Sequence, residues 1–174
     1  MAGRARGFET VGDMVRSMGL VVAAAAVLVF LGSRPNPEAV KVVDYQRQVQ
    51  AAERVAPYDV LAPHGLPPRW RATSARLRVS DDQRVADLRI GFVTPSDAYA
   101  ALKESNAPAA AFVARETKQG LVDGTLAVAG RTWEKRHREA GDERSLVLRT
   151  ADVTVVVTGT ASYDELTRLA ASLR

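Results

Sequence analysis

Cysteine is absent from the 174 residues, histidine occurs twice, and aromatic residues make up 6% of the chain. The first absence excludes a disulfide scaffold, a thiolate zinc site, a cysteine-ligated iron–sulfur cluster and a cysteine nucleophile in any compartment. The scarcity of imidazole makes any triad or histidine metal site depend on His64 and His137, which lie 73 residues apart. Neither stands in a His-x-x-His or His-x-Glu spacing that would gather ligands locally, and no cofactor or metal is expected. Long apolar runs are scarce too: the sequence has a single one, too few for a polytopic transporter. What is there, 47% hydrophobic and 25% charged residues with a net charge of +4, is the composition of one ordinary folded domain.

The one apolar run lies between Arg16 and Arg34, seventeen uncharged residues from Ser17 to Ser33. At 1.5 Å per residue it reaches about 26 Å, enough for a bilayer core of about 30 Å when the flanking arginines snorkel. A cleaved signal peptide has a similar front end. Here, though, the small residues Ala23 to Ala26 sit in mid-run, and the exit Phe30-Leu31-Gly32-Ser33-Arg34-Pro35 holds no Ala-x-Ala site. An uncleaved signal anchor is therefore expected. Arg4, Arg6 and Arg16 before the run, against Arg34 and Lys41 after it, favour the N-terminus inside. The sequence thus predicts a single-pass protein of the cytoplasmic membrane. It would have a cytoplasmic tail over 1–16, a transmembrane helix over 17–33, a membrane-proximal helix and proline-rich linker over 34–69, and an extracytoplasmic α+β domain over 70–174. Gly19 and Ala23 form a small-xxx-small pair through which two spans could pack.

Beyond the run, Val49, Ala52 and Val55 at helical spacing predict a short helix over 46–56, ended by Pro57. Pro57, Pro63, Pro67 and Pro68 predict a stiff extended stretch up to Arg69. Alternation then predicts two strands, with Ala75, Leu77 and Val79 on one face of the first and Leu88, Ile90 and Phe92 on one face of the second. Asp81-Asp82 turns between them. Thr94-Pro95-Ser96-Asp97 has the chemistry of a helix start, so a helix with Tyr99 and Leu102 inward is expected to about Asn106. The second half reads as a strand near 110–117, a turn at Asp123-Gly124, and strands over 125–128, 131–139, 144–149 and 153–158. A last helix opens with the capping box Ser162-Tyr163-Asp164-Glu165 and carries Leu166, Leu169, Ala170 and Leu173 on its apolar face. Trp70 lies 26 residues before Ser96 and Trp133 lies 29 before Ser162, which predicts a duplicated strand-strand-helix unit. The expected fold is α+β: an antiparallel sheet with helices on one face and the other face open for binding.

Six strings occur together and in order: Asp13-Met14-Val15-Arg16-Ser17, Gly32-Ser33-Arg34-Pro35, Trp70-Arg71-Ala72-Thr73-Ser74-Ala75-Arg76, Gly91-Phe92-Val93-Thr94-Pro95, Tyr99-Ala100-Ala101-Leu102 and Val157-Thr158-Gly159-Thr160-Ala161. As a set they resemble the actinobacterial family catalogued as domain of unknown function 4245, over nearly the whole chain. That resemblance implies a small single-pass membrane protein with an exported domain, and it implies no activity and no catalytic residues. The 20 arginines against 4 lysines fit a GC-rich genome, a matter of codons rather than chemistry.

Candidate chemistry is thin. Ser74, Ser105 and Ser145 lack the Gly-x-Ser-x-Gly context of a nucleophile elbow. The carboxylate pairs Asp81-Asp82, Asp142-Glu143 and Asp164-Glu165 are what glycoside hydrolysis would need, yet two read as turns and the third as a helix start. The run Lys135-Arg136-His137-Arg138 alternates, with Lys135 and His137 on one strand face and Arg136 and Arg138 on the other. It reads first as a solvated strand and second as a contact for an anionic lipid or wall polymer. Nucleic acid is not expected, since the charge is spread along the chain. One sharper site remains. Arg69-Trp70-Arg71 and Arg131-Thr132-Trp133 hold both tryptophans beside arginines, either as stacking platforms for a sugar, peptide or lipid headgroup or as core anchors. The expected function is a non-catalytic binding module in the cell envelope, with an envelope protein or a wall or lipid ligand as partner. An envelope hydrolase or transferase with a carboxylate site, and a structural subunit of a membrane complex, are the alternatives.

Overall fold

A computed structural model describes residues 18, 19, 21, 22 and 42–174. The expected cytoplasmic tail and transmembrane helix, apart from Met18, Gly19, Val21 and Val22, lie outside the described residues. Among the described residues no helix is long and apolar enough to cross a membrane.

Helix α1 (Gln46–Val55) forms where expected, burying Val49 and Ala52. Its last carbonyl partner is Ala56, whose N–H reaches the Ala52 oxygen at 2.7 Å, and Pro57 has no N–H with which to continue. Strands β1 (Arg71–Val79), β2 (Ala86–Val93) and β3 (Tyr99–Ser105) follow, then α2 (Ala109–Glu116). Strands β4 (Leu121–Val128), β5 (Arg131–Arg138), β6 (Glu143–Arg149) and β7 (Thr154–Gly159) lead to α3 (Tyr163–Ala171). The seven strands make one sheet in the order β1-β2-β3-β7-β6-β5-β4. All neighbours are antiparallel, so two meanders meet at the β3–β7 pair.

Period-2 alternation sorts the side chains. Leu88, Ile90 and Phe92 of β2, Leu102 of β3, Leu146 and Leu148 of β6, and Val155 and Val157 of β7 point to one face, where α1 and α3 close the main core. The neighbouring Val147 and Val156 point the other way and pack under Phe112 and Val113 of α2. Helices therefore cover both faces, not one. Tyr58 and Ala62 are also buried in the main core, and the proline-rich stretch is stitched to the C-terminus by backbone bonds between Ala62 and Arg174. Residues 46–69 are thus part of the folded body rather than a linker outside it.

Three segments differ from their sequence expectation. Residues 94–106 are a turn and a strand, not a helix. The Thr94 N–H bonds the Ala98 oxygen at 2.9 Å and the Asp97 N–H the Thr94 oxygen at 3.0 Å, with Asp97 in the left-handed region at φ +59. The capping chemistry of Thr94 is spent on a hairpin turn because β3 gains ladder partners on both sides, β2 and β7, which local propensity cannot anticipate. The stretch near 110–117, expected as a strand, is α2, an alanine-rich helix whose Phe112, Val113 and Glu116 fall on one side. Asp123-Gly124 is a bulge within β4, where the register shifts between Val122 and Thr125 and Gly124 takes φ +100. The true β4–β5 turn is Ala129-Gly130, both at positive φ. With the first predicted helix gone, Tyr99 in a strand, and Trp70 before β1 while Trp133 is inside β5, the duplicated strand-strand-helix unit does not exist in that form.

The last helix forms as read. The Ser162 side chain accepts the Glu165 N–H at 3.3 Å. The Glu165 carboxylate does not complete the box; it turns to Ser96, accepting the hydroxyl at 2.8–2.9 Å and the N–H at 3.3 Å. This joins α3 to the β2–β3 turn. Close by, β7 runs tight against β3: a Cβ on Gly159 would overlap the Tyr99 carbonyl oxygen and lie 2.9 Å from the Ala100 Cα. Replacing Gly159 by Ala is expected to cost about 3 kcal/mol by overpacking the central strand pair. Urea unfolding checks this, and an unchanged midpoint would show that the strands part freely there.

Candidate functional site

The tryptophans decide the first question. Trp70 is 7% exposed and Trp133 1%, both in the core cluster under α1 and α3, and Trp70 stands edge-on to Phe92 with centroids 6.1 Å apart. Neither face of either indole is open to a stacked ligand, and neither indole N–H has an acceptor among the described residues. Strand order also separates the two pairs, with β1 at one edge and β5 next to the other. Arg69 donates to the Pro95 oxygen at 3.0 Å and Arg71 to Asp97 at 2.7 Å, bracing the β2–β3 turn. Arg131 is exposed at the β4–β5 turn. The five residues do not form one site.

The carboxylate pairs are scattered as well. Asp81 and Asp82 occupy the β1–β2 turn, where the Asp82 carboxyl is held below its usual range by the Ser80 hydroxyl and the Arg84 N–H. Asp142 lies at the β5–β6 turn near the opposite edge, lowered by His137 and Arg144. Glu143 pairs with Lys118, and Asp164 opens α3. Among the described residues no three His, Cys, Asp or Glu side chains gather around a metal-sized point. His137 bonds Asp142 at 3.1 Å, and His64 is exposed in the proline-rich stretch.

What the structure does gather is charge. In cross-strand register Arg76 stands opposite Arg89, and Arg89 opposite Lys103, three cations in one row on the α2 face. Like charges so placed repel. Glu116, reaching down from α2 and 4% exposed at its side chain, takes Arg89 at 2.7 Å and Lys103 at 3.0 Å. Burial works to raise the Glu116 carboxyl, but hydrogen bonds from Arg115 and Lys103 and the nearby cations outweigh it and hold the group below its usual range. Arg89 still leaves its Nε–H buried without an acceptor among the described residues. Arg76 and Arg78 are exposed and make no ion pair among the described residues. Across α2, Arg136 and Arg149 share Glu134, while Arg138 and Lys118 share Glu143. The alternation read in the 135–138 run holds: Lys135 lies 4.3 Å from the Tyr163 ring centroid on the α3 side, and Arg136 and Arg138 lie on the α2 face.

Residues 42–174 hold 19 Lys and Arg against 17 Asp and Glu. Strand positions on the α2 face, with α2 and the loop after it, carry ten of those cations and four of those carboxylates. One face is therefore +6 and the rest of the body −4. The signal was present in the sequence as Arg76-x-Arg78 and Arg136-x-Arg138, a spacing that puts each pair on one strand face, but only the register aligns the strands.

The edge strands differ. Beside β1, the Val43 N–H bonds the Ala72 oxygen at 2.9 Å, and arginines line the strand. On β4, Leu121 is 79% and Val122 59% exposed. A cavity of about 380 Å³ lies between β4 and α2, lined by Ala110, Val113, Ala114, Leu121 and Val122 with Arg136 and Arg149.

No curated protein matches this sequence. Among solved structures, a chain in the crystal structure of MucB in complex with MucA(peri) aligns with a TM-score of 0.35 and 16% identity, covering 67% of this chain and 36% of that one. A chain in the complex structure of Pseudomonas aeruginosa MucA/MucB gives 0.31 and 20% identity, covering 66% and 34%. This chain thus spans about a third of those chains. The family model described as protein of unknown function (DUF4245) matches residues 6–173, so the chain belongs to that family.

Proposed function

We propose that this chain is a non-catalytic binding module of the cell envelope. In this reading it is tethered to the cytoplasmic membrane by the apolar run at 17–33, with the domain outside, and binds an envelope protein along β4. The observation that carries the reading is the open β4 edge. Its outward backbone groups are unpaired within the sheet, it ends the strand order, and it shows Leu121 and Val122 to solvent beside an apolar-lined cavity. An unpaired edge with exposed apolar side chains is a liability in a monomer and a ready template for an added strand. The opposite edge is guarded by arginines and by the backbone before α1.

A photo-reactive residue in place of Leu121, in the full-length protein in its native membrane, is expected to capture a protein that a chain of residues 1–41 does not. Val122→Lys should abolish that capture while leaving stability within about 0.5 kcal/mol, as an exposed substitution does. Recovery of the same partner by residues 1–41 alone would overturn the reading in favour of a structural subunit. Turnover of a wall or lipid substrate, lost on replacing Asp81, Asp82 or Glu143, would overturn it in favour of an enzyme.

A further inference from the structure

We infer that the α2 face is a docking surface for an anionic lipid bilayer. The inference goes beyond the β4 reading, which concerns a protein on the sheet edge, and shares with it the tether and the cavity residues Ala110, Ala114, Arg136 and Arg149. It is tested at Ser74, Arg76 and Arg78, on the far side of the face. Its first support is charge segregation. The face is +6 while the rest of the body is −4, an asymmetry larger than the net charge of the whole described region. The second is how the cations are held. Arg76, Arg89 and Lys103 stand in one repelling row, neutralised only in part by Glu116, an arrangement that an external anionic layer would relieve.

The third support is the shape of the charge pattern. The outward side of α2 presents exposed Ala110, Ala111 and Ala114 with Arg115, and no carboxylate among them. Tyr99, 46% exposed, stands on the same face beside Gly91. A small apolar ridge rimmed by arginines, with a tyrosine at the side, suits a headgroup layer, into which long basic side chains reach and at which amphipathic rings settle. An acidic protein would be expected to meet concentrated cations around one pocket; here they flank the helix on both sides.

The absence of cysteine provides the test. Ser74→Cys places one label on the exposed α2 face of β1, and Glu53→Cys places one on exposed α1 as the control. The full-length chain, carrying an environment-sensitive fluorophore at one position or the other, is reconstituted in vesicles of phosphatidylcholine, with or without about one third phosphatidylglycerol. The expected result is a blue shift at position 74 only with phosphatidylglycerol, none at position 53, and reversal by molar salt, where the Debye length falls to about 3 Å. Arg76→Gln with Arg78→Gln is expected to lower the docked fraction about tenfold, with thermal unfolding by circular dichroism unchanged.

Equal emission at position 74 in both vesicles, equal shifts at 53 and 74, or wild-type docking by the double variant would each overturn the inference. A shift that needs an added membrane protein rather than phosphatidylglycerol would assign the face to an acidic protein and overturn it too. Flotation after alkaline carbonate, run in parallel, reports the tether alone, so its failure is read separately from failure of the face to dock.

Discussion

Replacing Glu104 by Gln is expected to flatten the pH dependence of stability between about pH 4.5 and 8. Glu104 lies on β3 opposite Leu88 and Val155, facing the main core, and is fully buried. One carboxylate oxygen accepts the Leu61 N–H at 3.2 Å, and the other has no partner among the described residues. Burial pushes its pKa from 4.5 up to about 8, against the smaller opposing effect of the Leu61 bond. The sign follows from proton binding. Between the unfolded and folded values the native protein holds a proton that the unfolded chain has released, so stability falls as pH rises through this window.

The slope is about 1.4 kcal/mol per pH unit in mid-window, and the whole effect is on the order of 5 kcal/mol. Glu116 and Glu134 are shifted down, so their contribution is lost on acidification below the carboxylate range, a separate window. Urea unfolding from pH 4 to 9 is the measurement. Glu104→Gln should match the wild type near pH 4 to within the cost of one unsatisfied amide, about 1–3 kcal/mol, and exceed it clearly at pH 9. The same slope in both proteins would show that Glu104 is not the group responsible. The geometry also ties this carboxyl to the proline-rich stretch, because Leu61 and the nearby Tyr58, whose hydroxyl bonds the Ala86 oxygen at 3.1 Å, belong to it.

The second large effect is in the core. Trp133→Ala is expected to destabilise the protein by about 3–5 kcal/mol, the usual cost of removing a buried aromatic and leaving a cavity. Trp70→Ala, slightly less enclosed, should fall at the lower end of that range. Thermal and urea unfolding check both. A folded Trp133→Ala variant of unchanged midpoint would contradict its place in the core and restore the stacking-platform reading of Arg69, Trp70, Arg71, Arg131 and Trp133.

Much of the sheet was legible because its strands follow the simplest rule. Leu88, Ile90 and Phe92 alternate cleanly and share one face as expected, and the strand expected over 153–158 is β7. The capping box at Ser162 was legible because it is a local chemical device. The errors share one cause. Thr94-Pro95-Ser96-Asp97 can open a helix or close a hairpin with similar local energy, and the choice went to the hairpin because β3 is bonded on both sides. Residues 109–116 were expected as a strand and form a helix because Val147 and Val156 supply the surface for Phe112 and Val113 on its one short apolar face. Glu104 was missed because a misassigned helix hid the alternation that buries it.

The sequence by itself determined the absence of thiol chemistry, the single apolar run, the period-2 strands and the resemblance that the family match bore out. These depend on residue identity and on neighbours a few positions away. Tertiary structure alone decided that the tryptophans are buried, that one carboxylate is enclosed among apolar side chains, that β4 is an open edge, and that a chain with nearly balanced charge has a face of +6. Each of these depends on cross-strand register and strand order, which bring together residues such as Arg76, Arg89 and Lys103. No periodicity along the chain encodes which of them will meet.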